Sequence, residues 1–378
     1  MEPESPTSVP VSPSNEIRPA EETAVAALTN RDLARVFIGP GGLRSGWSVA
    51  IFVALIVLLG SVASAIARAI HPPSHSQEMS PGSGLVGEVM SVALLILATW
   101  IVALIERRKL LDYNLRGPRR GFHFASGLVC GFAALSALVG GLAAGGWLHF
   151  GPVALSGGQI LLYALLWGAT FLLVGCFEEG TMRCYLLFTF TRGINFQWAA
   201  GLVGCISALL LWKVHGEGAW GAYMLAVGGA LPCFALQMKK VPSSGFWNAA
   251  WVTSFLFGAG HTGNNGENWI GIFAAGAIGF VFCVSVYVTG SAWWAIGCHA
   301  AWDWGETYFY GTADSGLVAK GHLLTATPAG PAFWSGGTDG PEGSVLVLAV
   351  IALLLLAVLA FYRRGRQKEL AAAQPAAS

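Results

Sequence analysis

A succession of apolar runs, each about 20 residues long, constrains the fold more than any other feature of this sequence. A run of that length forms a helix that can cross a hydrocarbon core about 30 Å thick. The composition agrees, because only 11% of the 378 residues are charged, whereas a soluble protein carries about a quarter. The sequence therefore predicts an all-α integral membrane protein, a polytopic bundle of about 8–10 transmembrane helices in contact with the lipid bilayer.

The apolar runs and the segments between them divide the chain into five parts. The predicted spans cover residues 47–70, 90–105, 124–148, 160–176, 199–212, 219–236, 246–260, 270–288, 292–310 and 345–362. The parts are a disordered cytoplasmic tail (1–45), N-terminal transmembrane helices (46–157), a membrane core (158–311), a long loop (312–344), and a last transmembrane helix with a basic tail (345–378). The N-terminal tail is rich in Pro, Ser, Thr and Glu and lacks the apolar core of a cleavable signal peptide.

Basic residues between the spans predict how the protein lies in the membrane. Clusters of Lys and Arg occur at 107–120, 239–240 and 363–368. With ten spans these clusters all fall on one side, and the positive-inside rule assigns that side to the cytoplasm. We therefore expect a multi-pass protein of the cell membrane with both termini in the cytoplasm. The net charge of only +1 argues against a nucleic-acid partner.

Glu178, Glu179 and Arg183 form the first of three polar clusters that lie within or at the ends of apolar runs. An ionisable side chain inside a membrane span is costly unless it is paired or hydrated, so it is a functional hypothesis by default. On a helix Glu179 and Arg183 are spaced i and i+4 and can pair. Glu178 points about 100° away from that pair, which leaves it free to act as a general base or acid. The alternative is a helix-end ion pair at the membrane surface.

The second and third clusters each contain a histidine. Phe257 precedes His261 by one helical turn at the end of an apolar run, where a lone histidine can also serve as a polar cap. His299 and Asp303 are spaced i and i+4 in an apolar helix, so Asp303 could orient the imidazole, or both could ligate a metal. The alternative is a His–Asp pair that only holds two helices together.

A simple count of spans places Glu178 near the inner face of the membrane and His261 near the outer face. Their chemistry requires them to be together. Either the fourth helix is long and carries Glu178 in its interior, or one of the two spans between 199 and 236 is re-entrant. The sequence leaves both alternatives open.

In chain order the three clusters read E-E-x-x-x-R from 178, F-x-x-x-H from 257 and H-x-x-x-D from 299. This order resembles the CAAX prenyl endopeptidase and bacteriocin-processing (CPBP) family, the type II CAAX proteases and their bacterial relatives. The resemblance covers roughly residues 161–310. It implies a helical membrane core around a hydrophilic cavity, in which a glutamate and a histidine activate water for peptide hydrolysis.

The resemblance also implies roles for individual residues. Glu178 matches the catalytic glutamate, and His261 matches the histidine that helps to activate the water. His299 and Asp303 match the pair that stabilises the oxyanion or completes the site. Supporting roles fall to Phe257 of the second motif and to the ion pair of Glu179 and Arg183.

Two departures from the family pattern stand out. The last motif more often ends in Asn, and Asp303 can ionise where Asn cannot. The separation between Arg183 and Phe257 is also longer than the family pattern, which predicts an inserted hydrophobic hairpin near 197–240 within the catalytic core.

The expected function is that of a CAAX-type intramembrane endopeptidase, a hydrolase of the metalloendopeptidase class. Its substrate would be a membrane-associated protein or peptide, either prenylated or a bacteriocin or leader peptide. His261, His299 and Glu178 could hold a divalent metal such as Zn²⁺, although no zinc-protease spacing such as H-E-x-x-H occurs. Two alternatives are a non-proteolytic scaffold or bacteriocin-immunity protein, and a transporter.

Overall fold

The computed structural model describes residues 35–39, 42–70, 80–213, 228–264 and 266–373. Most of the predicted N-terminal tail lies outside the described residues. The same is true of much of the span predicted at 219–236, which forms the second half of the predicted hairpin.

The described chain is built almost entirely of helices, which confirms the predicted all-α fold. The helices are α1 (Ser45–Ile70), α2 (Pro81–Glu106), α3 (Arg120–Ala144), α4 (Gly158–Thr191), α5 (Phe196–Lys213), α6 (Leu231–Met238), α7 (Ser244–Gly260), α8 (Trp269–Thr289), α9 (Trp293–Asp303), α10 (Ala332–Ser335) and α11 (Leu346–Ala373). The short strands are β1 (Ile38–Gly39), β2 (Gly42–Leu43), β3 (Leu148–Phe150) and β4 (Ala326–Pro328). Among the described residues, α1, α2, α3, α4 and α8 are long and apolar enough to cross a membrane.

Helix α2 begins at Pro81 rather than near residue 90, where the span was expected to start. The Ser80 hydroxyl accepts a hydrogen bond from the backbone N–H of Ser83, and Pro81 occupies the first helical turn. Both features favour a helix start. Because of this earlier start, Glu88 lies inside the helix.

Helix α4 resolves the conflict between the positions of Glu178 and His261. It does not end near 176 but runs for 34 residues to Thr191. Toward its C-terminal end it contains a π-helical segment, Gly180–Leu186, between the α-helical stretches Gly158–Glu179 and Leu187–Thr191. The alternative with a long fourth helix is therefore correct, and Glu178 lies in the helix interior.

Helix α9 packs against α3 at a distance that only glycine permits, and it also lies close to α4. A Cβ atom on Gly127 or Gly131 of α3 would overlap backbone carbonyl oxygens of α9, and one on Gly297 of α9 would overlap the backbone of α3. On α4, a Cβ on Gly175 would lie 3.1 Å from the carbonyl oxygen of Ile296. These contacts place the third polar cluster beside the first.

The segment between α9 and α11, predicted as a long loop, is mostly irregular and covers one end of the bundle. Before it, α9 continues as a π-helical segment, Trp304–Tyr310. Within it, β4 pairs antiparallel with β3, and Trp334 of α10 stacks on Trp147 with ring centroids 4.8 Å apart.

The close approach of α3 and α9 can be tested with Gly131→Ala. The added methyl overlaps the backbone of α9, so the helices must separate at a cost of about 1–3 kcal/mol. We expect the thermal unfolding midpoint in detergent to fall by at least about 2 °C. Gly140→Ala, on the same helix but with open space around its Cβ, should leave the midpoint unchanged or raise it. Equal midpoints for both variants would contradict the packing.

Candidate active site

A cavity of about 520 Å³ lies among α2, α4, α7, α8 and α9 and the segment that follows α9. Side chains from all three polar clusters line it. Its acidic and imidazole side chains are Glu88, Glu178, His261, His299, Asp303, Asp314 and Glu342. Residues that are far apart in the sequence are therefore brought to one concave surface within the helical bundle.

The imidazole of His299 lies at the centre of this group. Its Nδ1 is 2.9 Å from Oε1 of Glu179, and its Nε2 is 3.4 Å from Oδ2 of Asp303. Nε2 also lies 3.8 Å from Oε2 of Glu178. The predicted i,i+4 contact of His299 and Asp303 is present, but the imidazole makes its shorter contact with Glu179 on the neighbouring helix α4. Since both ring nitrogens face carboxylate oxygens, both can donate only when the ring carries two protons.

The predicted ion pair of Glu179 and Arg183 is present and completely buried. Arg183 Nη1 lies 3.1 Å from Glu179 Oε1, and both side chains have no exposed surface. The guanidinium carbon of Arg183 lies 4.4 Å from the ring centroid of Phe257 and 5.3 Å from that of Phe282. Such cation–π contacts are strongest where water is excluded. Arg183 therefore joins the first cluster to the second.

His261 follows directly after α7 and lines the cavity. Its Nδ1 lies 2.8 Å from the carbonyl oxygen of Phe257, whose ring is 4.8 Å from the imidazole. A carbonyl oxygen only accepts hydrogen bonds, so Nδ1 must carry the proton of this bond. In the neutral imidazole the other nitrogen, Nε2, is then an acceptor that can take a proton.

Glu178 is the most accessible member of the first cluster. About a third of its side chain (34%) is exposed, whereas Glu179 has none exposed. The two adjacent glutamates thus differ in environment, as their angular separation on a helix predicts. Glu179 is held by the buried arginine, and Glu178 faces the cavity.

Three further carboxylates, which the sequence motifs did not identify, line the cavity. Glu88 lies on α2, but the predicted span started near residue 90 and did not include it. With the correct start, an acidic residue inside an apolar helix is the signal that identifies Glu88. Asp314 accepts a hydrogen bond from the hydroxyl of Thr307 at 2.7 Å. Asp314 and Glu342 come from the long loop, where no local pattern distinguishes them from solvated charges.

Glu306 is a further buried carboxylate, and no sequence feature distinguishes it from a loop charge. It lies in the π-helical end of α9, is fully buried, and accepts a hydrogen bond from the indole N–H of Trp302 at 3.0 Å. Its Oε1 has no hydrogen-bond partner among the described residues. Gly258 permits a close contact between α7 and α8, since a Cβ there would meet the backbone of α8. A Cβ on Gly260 would meet nothing within 4 Å.

The acidic residues of the long loop lie in an environment that favours their neutral forms. Burial, followed by repulsion from Asp314 and Asp303, raises the pKa of Glu342 well above its ordinary value. Burial also raises the pKa of Asp314, although the hydrogen bond from Thr307 opposes the shift. Burial and the nearby charge of Glu267 raise the pKa of Asp339 to about 7.

The arrangement gives no support to the predicted zinc site. No group of three or more His, Cys, Asp or Glu side chains in the described part of the chain is placed to hold a metal ion. Nδ1 of His261 and Nδ1 of His299 are both engaged, with a backbone carbonyl and with Glu179 respectively, which leaves Nε2 of each ring as the nitrogen that could ligate a metal. Zinc stays a prediction.

Comparison with known families supports the interpretation of the second and third motifs. Residues 233–305 match a family model described as "Type II CAAX prenyl endopeptidase Rce1-like". This match confirms the resemblance that the three motifs indicated. It contains His261, His299 and Asp303 but not Glu178, and it covers well under half of the chain. No curated protein and no solved structure matches the chain.

The buried ion pair generates a stability prediction. Arg183→Met leaves Glu179 without its guanidinium partner, and breaking a buried pair costs about 3–5 kcal/mol. Arg116→Met is the matched control, because Arg116 pairs with Asp112 at the same i,i+4 spacing but with 57% and 29% of the two side chains exposed. It should cost less than about 1 kcal/mol. Thermal unfolding in detergent measures both changes.

A second variant separates charge from packing in this test. Adding Glu179→Gln to Arg183→Met removes the unpaired carboxylate, so the double variant should recover part of the lost stability. Equal losses for Arg183→Met and Arg116→Met, or no recovery in the double variant, would contradict a buried charge pair.

Proposed function

We propose that this protein is an intramembrane endopeptidase of the CAAX-protease type. It hydrolyses a peptide bond of a membrane-associated protein or peptide with a water molecule activated by Glu178 and His261. The observation that carries the proposal is the convergence of Glu178, His261 and the His299–Asp303 pair on one cavity. The family match, which includes the last three of these residues, supports the same reaction class.

Glu178 acts as the general base. Its partly exposed carboxylate faces a cavity that can hold both a water molecule and a peptide carbonyl. As the water oxygen attacks the carbonyl carbon, Glu178 takes its proton. It then delivers that proton to the nitrogen of the departing amine, so the carboxylate is restored at the end of the reaction.

His261 positions the attacking water. Because its Nδ1 donates to the carbonyl oxygen of Phe257, the ring is oriented and Nε2 can accept a hydrogen bond from the water. With Glu178 accepting the other hydrogen, the oxygen lone pair is directed at the carbonyl carbon. A water held in this way needs little reorganisation to react.

His299 stabilises the oxyanion that forms on the carbonyl oxygen. Its Nδ1 is held by Glu179, which is itself held by Arg183, so the imidazole has a fixed orientation. When the ring is doubly protonated, its Nε2–H, which faces Asp303 at 3.4 Å, donates to the negative charge as that charge develops, and the shorter Nδ1 contact with Glu179 keeps the ring from rotating away. Donors held ready for a charge that develops only in the transition state commonly contribute a large part of the rate enhancement.

The multi-pass helical bundle supports a location in a membrane. We propose that this is the cell membrane, with both termini in the cytoplasm, because the basic clusters share one side. The substrate bond then lies near or within the lipid bilayer, and a prenylated peptide and a leader peptide are the two kinds to test first.

The catalytic assignment predicts that Glu178→Gln abolishes cleavage. The amide cannot take a proton from water, so kcat should fall at least about a hundredfold. Glu178→Asp keeps the base but withdraws it by one methylene, so it should retain part of the activity. Purified protein in detergent would be assayed with prenylated and unprenylated fluorogenic peptides, and thermal unfolding would confirm that each variant is folded.

Two results would contradict this function. A folded Glu178→Gln variant that cleaves like the wild type would remove Glu178 from the reaction. A folded wild type that cleaves no peptide of the panel, and whose biological effect survives Glu178→Gln, would instead support the scaffold alternative.

A further inference from the structure

The two ends of the helical bundle carry opposite charge. One end, the basic end, contains the loop from Arg107 to Arg120 and the loop with Lys239 and Lys240. Arg108 and Arg192 both pair there with Oε2 of Glu106, at 3.1 and 2.9 Å. Helix α9 also starts at this end, where the Trp293 indole N–H donates to the carbonyl oxygen of Leu115.

The cavity lies toward the opposite end. It is lined by Gly84 and Glu88 in the first turns of α2, whereas the last residue of α2 is Glu106 at the basic end. His261 follows the last turn of α7, and Val347 belongs to the first turn of α11. The long loop supplies its remaining acidic side chains. These positions are in the half of each helix remote from the basic loops, whereas Glu178 and His299 line the cavity from the middle of their helices.

The positive-inside rule gives this polarity a direction. Lys and Arg in short loops are retained on the cytoplasmic side during insertion. With the basic end in the cytoplasm, the cavity opens toward the other side of the membrane. A substrate then enters from the non-cytoplasmic face, past the loop that carries Asp314 and Glu342.

The lining of the cavity is also rich in carboxyl groups. Five line it, from Glu88, Glu178, Asp303, Asp314 and Glu342, whereas the basic side chains that line it among the described residues are the imidazoles of His261 and His299, with no Lys or Arg. The nearby Arg183 is bound by Glu179 and cannot neutralise them. Behind this lining, the fully buried Glu306 has an Oε1 without a hydrogen-bond partner among the described residues, and its strongest charge neighbour is Glu342. The excess of acceptors over cationic donors extends beyond the catalytic pair.

The excess of carboxyl groups over cationic side chains determines which ligands the cavity favours. A concave site lined by one sign of charge concentrates ligands of the opposite sign and repels those of the same sign. Because burial raises the pKa of Glu342 and of Asp314, an entering cation also displaces protons from them. A peptide that brings a carboxylate into the cavity would add to the repulsion.

We infer that the cavity receives a cationic peptide segment, with a lysine, an arginine or a free amino terminus near the scissile bond, from the non-cytoplasmic face of the membrane. The inference rests on the proposed peptidase function and names the substrate class of that same site. Glu342 and Glu88 are its specificity residues, since they line the cavity from the long loop and from α2 and have no part in activating the water.

The side on which the cavity opens is tested with two engineered cysteines in the full-length protein. Val318→Cys lies in the long loop with 56% of the native side chain exposed, and Leu111→Cys lies in the basic loop with 45% exposed. A membrane-impermeant maleimide applied to intact cells should label Val318→Cys and not Leu111→Cys. Permeabilised cells should label both, and the wild type with its own cysteines serves as the blank. Labelling of Leu111→Cys alone in intact cells would overturn the direction of entry.

The charge preference is tested with peptides that differ only in one residue beside the scissile bond. We expect KM for the lysine peptide to be at least about tenfold lower than for the norleucine peptide, and the glutamate peptide to be the poorest. Glu342→Gln and Glu88→Gln should each reduce that ratio by raising KM for the lysine peptide more than KM for the norleucine peptide. Asp112→Asn removes one carboxylate at the basic end and should leave the ratio unchanged.

A binding measurement distinguishes failure of this inference from failure of the proposed function. His261→Ala removes no carboxylate, so fluorescently labelled lysine peptide should still bind it more tightly than the glutamate peptide. If peptides are cleaved with no dependence on charge, the charge preference is wrong and the peptidase stands. If the lysine peptide binds selectively but no peptide is cleaved, the cationic ligand stands and the peptidase is wrong. Equal binding of both peptides would overturn the inference.

Discussion

One carboxylate oxygen, Oε1 of Glu179, connects the parts on which the site depends. It accepts hydrogen bonds from Arg183 on its own helix and from His299 on α9, at 3.1 and 2.9 Å. Arg183 in turn lies over the ring of Phe257 on α7. A charge buried this completely is tolerated only when its partners are in place. The orientation of the imidazole, and the approach of α4, α7 and α9, therefore depend on the same contact.

The adjacent glutamates show how a helix separates structural and chemical roles. Glu179 is directed into the protein and has no exposed surface, while Glu178 is turned toward the cavity and remains partly accessible. Glycines set the distance at which α9 can pass between α3 and α4, and so bring His299 within reach of both carboxylates. The polar cavity is thus produced by apolar helix packing as much as by the charged residues that line it.

Charge also organises the molecule on a larger scale. Arginines and lysines collect at one end of the bundle, where two of them pair with Glu106. Carboxylates collect at the other, around the cavity and in the loop that covers it. Burial raises the pKa of the loop carboxylates that contribute to this group. By the positive-inside rule, the basic end favours an orientation in which that end lies in the cytoplasm. The acidic end favours cationic ligands by direct attraction. The proposed orientation and the proposed substrate class therefore both follow from the distribution of charge.

The sequence alone determined the features that depend on local spacing. Apolar runs specify membrane helices, and an i,i+4 spacing places Glu179 beside Arg183 and His299 beside Asp303 whatever surrounds them. Tertiary structure decided which residues of different helices and loops meet. The bond between Glu179 and His299, the common cavity of Glu178 and His261, and the contributions of Glu88, Asp314 and Glu342 all join residues from different elements. No spacing encodes such contacts, because they follow from the length of α4, the start of α2 and the close packing of α9, and these are settled only when the helices assemble.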